Sequence, residues 1–182
     1  MPFSFKSLSI SDVILVEPDY FSDDRGYFLE IFHESIFQNH QINTKFIQDN
    51  ISYSKKNILR GLHFQLKPKA QAKLISVIRG EIFDVAVDIR KNSSTYGKWV
   101  GQILSSSNHK SLYIPEGFAH GFCVLSDDAY VMYKTNEHYF PEFEKGIMWN
   151  DPSLGITWPI NKPILSEKDL KLSFLSDVEN NF

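Results

Sequence analysis

Apolar residues in this chain recur mostly at every second position, in short runs separated by turn-forming clusters. Leu62, Phe64 and Leu66 alternate with Gly61, His63 and Gln65, and Val85, Val87 and Ile89 alternate with Asp84 and Asp88. A period of two is the signature of strands. The pattern predicts strands over 10–17, ended by Pro18, over 27–32, interrupted by Glu30, and over 46–54. Further short strands are expected at 99–104, 112–114, 122–125 and 129–135, with turns at 22–26, 55–57, 105–108 and 126–128. Two strands between Lys73 and Arg90 flank Arg79-Gly80, which reads as a hairpin corner. The first half holds one convincing helix, over 32–41, where Phe32, Ile36 and Phe37 take helical spacing. Ser166 and Asp169 have the spacing of a capping box, so a helix start is expected there. Many short strands without strand–helix–strand alternation argue for an all-β sandwich or barrel. No repeat or linker divides residues 1–182, which predicts one domain. The tail around Trp149, Pro152, Trp158, Pro159 and Pro163 reads as irregular chain wrapped over the barrel.

Composition sets limits on this picture. With 182 residues, 42% of them hydrophobic and fifteen of them Phe, the chain can fill one core well. A net charge of −3 gives no electrostatic case for nucleic acid or an anionic membrane, though it leaves room for a local basic cluster around one small anion. Cys123 is the single cysteine and lies in an apolar run, so a small buried hydrophobe in a reducing compartment is expected. The start MPFSFKSLS lacks the basic-then-apolar build of a signal peptide, and no apolar run nears the roughly 20 residues of a membrane span. A cytoplasmic protein without membrane or nucleic-acid partners is the expectation.

Candidate chemistry concentrates in Arg60-Gly61-Leu62-His63-Phe64-Gln65 and in Lys73. On a solvent-facing strand, Lys, Thr or Glu would be ordinary occupants; a convergence of guanidinium, imidazole, amide and ammonium suggests a polar pocket inside a barrel. In a second stretch, Ile114 to His120, Pro115 and Gly117 build a tight turn and His120 opens the following strand. Gly61-x-His63-x-Gln65 and Pro115-x-Gly117-x-x-His120 have the outline of the two motifs of cupin jelly rolls. Metal-binding cupins gather histidines and an acidic residue there, whereas Gln65 and Lys73 make a poor donor set, so no metal is expected.

The complete set of motifs resembles the dTDP-4-dehydrorhamnose 3,5-epimerase family. The resembling pieces are Asp24-Arg25-Gly26-x-Phe28-x-Glu30, Gln48-Asp49-Asn50, the Arg60–Gln65 run, Gln71-x-Lys73-Leu74 and residues 80–90. Ile114 to Phe122, Tyr133-Lys134, Trp149-Asn150-Asp151-Pro152 and Trp158-Pro159 complete it. The resemblance implies a double-stranded β-helix (a cupin-like jelly roll) with a few short helices, a homodimer and no cofactor. It implies inversion at C3 and C5 of dTDP-4-dehydro-6-deoxy-D-glucose, giving dTDP-4-dehydro-L-rhamnose. His63 would be the base, since imidazole titrates near neutral pH, with Asp169 orienting it. Lys73 would hold the enolate oxygen, and Tyr133 would return a proton from the opposite side. Arg25 and Arg60 would grip the diphosphate. Glu30, Gln48, Asp49, Asn50, His120, Glu144 and Lys168 would surround the nucleotide and sugar, and Tyr139 is a candidate to stack on the base. Arg25 and Gln48 would act across the dimer interface.

Each residue has a plainer reading. His63 could be a hydrogen-bonded structural residue, Tyr133 a core aromatic, Asp169 a helix cap and Arg25 a solvated loop charge. Asp84 and Asp88 are expected in strand-edge or buried hydrogen-bonding roles, and His33, His40, His109 and His138 at the surface. The alternative functions are a 3-epimerase only, a 3,4-ketoisomerase, or an epimerase for another nucleotide-linked 4-keto sugar. A metal-dependent cupin enzyme and a non-catalytic sugar-binding jelly roll are the rivals from other classes.

Overall fold

The computed structural model describes residues 3–182. Met1 and Pro2, the first two residues of the start read above for targeting signals, lie outside them. Two antiparallel sheets face each other as a cupin-like jelly roll. The first holds six strands: β1 (Phe3–Ser7), β2 (Ile14–Pro18), β10 (Ser111–Ile114), β7 (Lys73–Arg79), β12 (Asp128–Thr135) and β5 (Gln48–Lys55), in that spatial order. The second holds five: β13 (Glu144–Gly146), β6 (Leu59–Gln65), β11 (Phe118–Val124), β8 (Glu81–Asp88) and β9 (Trp99–Ser105). A separate two-stranded ribbon joins β3 (Tyr20–Asp23) to β4 (Gly26–Leu29). Among the described residues no helix is long and apolar enough to cross a membrane.

Three apolar clusters explain why central strands are buried on both faces. One fills the space between the sheets and includes Ile75, Val77, Ile82, Phe118, Phe122 and Val131. A second lies on the outer face of the five-stranded sheet, where Leu59, Val85, Val87 and Cys123 are covered by Leu154, Trp158 and Leu175 of the tail. The indoles anchor that wrap: Trp158 Nε1–H donates to the Trp149 carbonyl at 2.9 Å, and Trp99 Nε1–H to the Leu154 carbonyl at 3.1 Å. The third cluster seats α1 (Glu34–Asn39), through Phe37, against Val16 and Leu74 of the six-stranded sheet. In β8 the apolar parity therefore faces the tail, and Asp84 and Ala86 face inward.

Several expected elements change. The chain over 10–13 is a turn, with β2 starting only at Ile14 and including Pro18, and β1 was not foreseen. The helix is shorter than 32–41, closed by Gln41 at φ 67°. Arg79-Gly80 does not close a hairpin. β7 pairs with β10 and β12, β8 pairs with β11 and β9, and the chain crosses between sheets at Gly80. Gly80 has φ +84°, and a Cβ there would stand 2.1 Å from the Asp128 carbonyl, so a corner this tight requires glycine. His120 does not open its strand but lies inside β11, which begins at Phe118 directly after the Gly117 turn.

Candidate active site

A cavity of 560 Å³ opens between the two sheets, with β6 and β11 on one wall and β5, β7 and β12 on the other. It gathers His63, Lys73, Tyr133 and Asp169 together with Gln48, Asn50, Arg60, His120, Glu144 and Lys168. The close approach of β6 to β11 shapes its first wall. Gly61, at φ +134°, leaves no room for a Cβ, which would fall 2.5 Å from the Gly121 Cα. The register shifts there, so that His120 pairs with His63 and Phe122 with Arg60. Such a bulge re-aims side chains. Residues directly opposite share one face, so the two imidazoles stand side by side.

Each imidazole is held by a carboxylate. His63 Nε2–H donates to Asp169 Oδ1 at 2.6 Å, which leaves Nδ1 as the lone-pair nitrogen. Asp169, 4% exposed, opens a 3₁₀ turn (Asp169–Lys171) whose first amide is capped by Ser166 Oγ at 3.1 Å. The expected Ser166–Asp169 hydrogen bond therefore forms, but it precedes a single 3₁₀ turn whose N-cap is Lys168, and the carboxylate itself is spent on His63. Burial raises Asp169, but its hydrogen bonds from His63 and Ser166 outweigh that and hold it below the ordinary carboxylate range. His120 donates from Nε2 to Asp84 Oδ1 at 2.7 Å, deeper in the wall.

Across the cavity, Lys73 and Tyr133 lie on neighbouring strands. β7 and β12 pair Lys73 with Thr135 and Ile75 with Tyr133, so both side chains take the inward parity. Desolvation between the sheets pulls the Lys73 ammonium down to about 8, with the charges of Asp84 and Glu144 opposing the drop. Burial pushes the Tyr133 phenol up, partly countered by the Arg60 charge. Tyr133 is thus a neutral O–H donor at neutral pH.

At the mouth, the Arg60 guanidinium is set by Ser54 Oγ at 2.9 Å and the Tyr53 carbonyl at 3.2 Å, and it has no carboxylate partner among the described residues. Its remaining N–H groups suit an anion. Glu144 accepts hydrogen bonds from Tyr139 Oη at 2.5 Å and from the Lys168 ammonium. Burial raises Glu144, but those two bonds outweigh it and keep the group below its ordinary range. Gln65, read from sequence as a cavity group beside His63, lines the cavity and also braces its rim. It donates to the carbonyls of Lys69 at 2.6 Å and His138 at 3.1 Å and accepts from the Phe140 amide at 2.7 Å.

Three candidates do not join the cavity of their own chain. Asp49 lies between Gln48 and Asn50, so strand parity sends it outward; it is 60% exposed and pairs with Lys134 at 2.9 Å. Arg25 sits at the tip of the β3–β4 ribbon, 89% exposed and paired with Asp23. Glu30 follows β4 and is absent from the cavity walls. Ser52, Gln71 and Phe122 line the cavity without having been singled out. Parity could have found two of them, since Ser52 follows Gln48 and Asn50 by twos and Phe122 follows His120. His138, expected simply at the surface, is exposed yet engages Gln48 Oε1 through Nδ1 at 3.2 Å. Among the described residues, no group of three or more His, Cys, Asp or Glu side chains is placed to hold a metal ion.

The arrangement offers a lone-pair nitrogen on one wall, an O–H on the other, and an ammonium at the side. Comparison with known proteins identifies the family. The family model described as dTDP-4-dehydrorhamnose 3,5-epimerase matches residues 7–177. The dTDP-4-dehydrorhamnose 3,5-epimerase of Shigella flexneri is 55% identical over 163 residues, covering 88% of this chain and 90% of its own. That of Methanothermobacter thermautotrophicus is 54% identical over 170 residues, covering 92% and 91%. The crystal structure of the dTDP-6-deoxy-D-glucose-3,5-epimerase of Legionella pneumophila in complex with dTDP-4-keto-L-rhamnose superposes with a TM-score of 0.94 at 44% identity, covering 97% of this chain and 94% of that one. The chain belongs to the dTDP-4-dehydrorhamnose 3,5-epimerase family of isomerases.

Proposed function

We propose that the protein inverts C3 and C5 of dTDP-4-dehydro-6-deoxy-D-glucose to give dTDP-4-dehydro-L-rhamnose. The observation that carries this reading is the opposition of the His63–Asp169 pair on one sheet to Tyr133 on the other. Inversion at a carbon beside a ketone needs a base on one face and an acid on the other. His63 Nδ1 takes the proton from C3 or C5, the electron pair moves onto the C4 oxygen, and the Lys73 ammonium stabilises that enolate. The Tyr133 O–H then gives a proton to the opposite face of the same carbon. His63 then releases its proton to solvent and Tyr133 takes one up before the second centre reacts. The substrate's own carbonyl is the electron sink, so no cofactor is needed. Arg60 faces the diphosphate, and Gln48, Asn50, His120, Glu144 and Lys168 surround the nucleotide and sugar.

The active form is proposed to be a homodimer. The β3–β4 ribbon belongs to neither sheet and exposes Tyr20, Phe21, Tyr27 and Phe28, while the edge strand β5 exposes Ile51 and Tyr53. Apolar surface of this extent on a protruding ribbon needs a partner. A second copy would bring its Arg25 to the phosphate end of the cavity, and Glu30 and Asp49 would belong to the same contact.

Solvent deuterium incorporation tests the reaction. Incubated in heavy water with the substrate, the protein should place label at C3 and C5, and His63→Ala should abolish both. Label at C3 alone would reduce the activity to 3-epimerisation. No label from folded protein would overturn the reading.

A further inference from the structure

Asp84 is fully buried on β8, and only one of its two carboxylate oxygens has a partner. Oδ1 accepts the His120 Nε2–H, while Oδ2 makes no hydrogen bond. A buried carboxylate left half-matched is costly unless a nearby charge compensates it. Lys73 is that charge: among neighbouring groups Asp84 does most to keep its ammonium protonated, ahead of Glu144. The other titratable groups around the ammonium are His63 on β6, His120 on β11 and Tyr133 on β12.

His120 has the complementary half of the geometry. Its Nε2 proton is committed to Asp84, so Nδ1 is bare and has no partner among the described residues. Burial pushes the imidazole below its ordinary range against the opposing charge and hydrogen bond of Asp84, with the Lys73 and His63 charges adding to the drop, so the neutral form is favoured. A neutral imidazole in this tautomer can only accept a hydrogen bond from the cavity, either from a sugar hydroxyl or from the Lys73 ammonium. It cannot donate to an enolate oxygen, which leaves that task to Lys73.

We propose that Asp84 is a positioning residue of the epimerisation, fixing His120 as a hydrogen-bond acceptor through Oδ1 and holding Lys73 as the charged partner of the enolate. The proposal rests on the epimerase reading above.

The isosteric variant Asp84→Asn tests it by the rate of deuterium incorporation at C5 across pH 6 to 10. The expected rate falls by about 10–100-fold, as for loss of a supporting carboxylate, with KM within about threefold of wild type. The alkaline limb, expected near pH 8 in the wild type, should move down by about 1–2 pH units once the carboxylate is gone. A variant with wild-type rate and an unmoved limb overturns the proposal. A uniform loss of rate with the limb unmoved overturns it too, because that is what a merely structural residue would give. Should the variant not fold, ¹⁵N NMR of the wild-type protein decides, with His120 assigned by its loss in His120→Asn. A proton on Nε2 and none on Nδ1 supports the proposal, and a proton on Nδ1 sinks it. Wild-type protein that exchanges no label refutes the epimerase reading instead, and the tautomer measurement keeps the two failures apart.

Discussion

Lys73 answers to two opposed demands, since the proposed chemistry needs its charge and the fold is strained by it. Its ammonium is drawn from 10.5 to about 8 chiefly by desolvation, so the folded state binds that proton less tightly than the unfolded chain does. The charged form therefore costs stability below pH 8, on the order of 3 kcal/mol, and the cost fades as pH rises through 8 towards 10.5. Lys73→Met should abolish turnover. Only together with Asp84→Asn, which removes the buried carboxylate that Lys73 compensates, should it raise Tm at pH 7, by roughly 5 °C, with the gain shrinking above pH 9. A lower Tm of the double variant at pH 7 would show that the charge is no liability. In the wild type, activity should decline as pH rises through about 8. Asp169→Asn should cost about 10²–10⁴-fold in kcat with little change in KM, because the wrong His63 tautomer would face the sugar. Residue parity made much of this legible: His63, Lys73 and Tyr133 sit on inward positions of strands that the alternation outlines. Asp84 was harder to find. It shares strand and parity with Asp88, and parity reports which face a side chain takes, not how deep it lies or what waits there. In the fold, Asp84 meets His120 at the cavity wall, while Asp88 turns to its own loop.

That loop shows the same logic at the scale of elements. Asp88, fully buried at the end of β8, accepts hydrogen bonds from the Arg90 amide at 2.9 Å, Ser93 Oγ at 2.6 Å and Thr95 Oγ1 at 2.6 Å, and pairs with the Arg90 guanidinium at 2.7 Å. One carboxylate thereby organises the connection from β8 to β9. Burial raises Asp88, but the Arg90, Ser93 and Thr95 bonds bring it down to about 2, against an ordinary 3.8. A carboxyl depressed in the folded state contributes stability above its unfolded value and loses it as pH falls through the folded one. Asp88→Ala should destabilise the protein by about 3–5 kcal/mol at pH 7, and by much less near pH 2, without touching the cavity. Urea unfolding at both pH values measures the difference, and an equal loss at the two would exclude the charge as the cause. Connections were the least legible level in the sequence. Arg79-Gly80 carries the glycine that a hairpin needs, yet an inter-sheet corner needs the same positive φ, and only the partners of β7 and β8 tell them apart.

For the whole molecule, the exposed ribbon and the edge strand set the argument. β5 closes the six-stranded sheet with an open edge, and such an edge invites pairing unless something covers it. Phe21 and Phe28 stand 63% and 69% exposed on the ribbon, beside Arg25. No sequence pattern reports a surface that is completed by a second copy, because the alternation rule registers burial within one chain only. If the ribbon of one copy reaches the cavity of the other, Arg25 and His63 of a single chain serve different sites. Arg25→Ala should lower kcat/KM by about 10–100-fold through a lost charge-assisted hydrogen bond, and His63→Ala should be inactive. Mixed in equal amounts and allowed to exchange subunits, the two variants should regain about a quarter of wild-type activity, because half of the dimers are mixed and each of those has one intact site. Activity that stays at the level of the Arg25→Ala component alone would place Arg25 in the site of its own chain. Sedimentation of the wild type as a monomer at assay concentration would remove the shared site altogether, and Arg60 would then be left to hold the diphosphate alone.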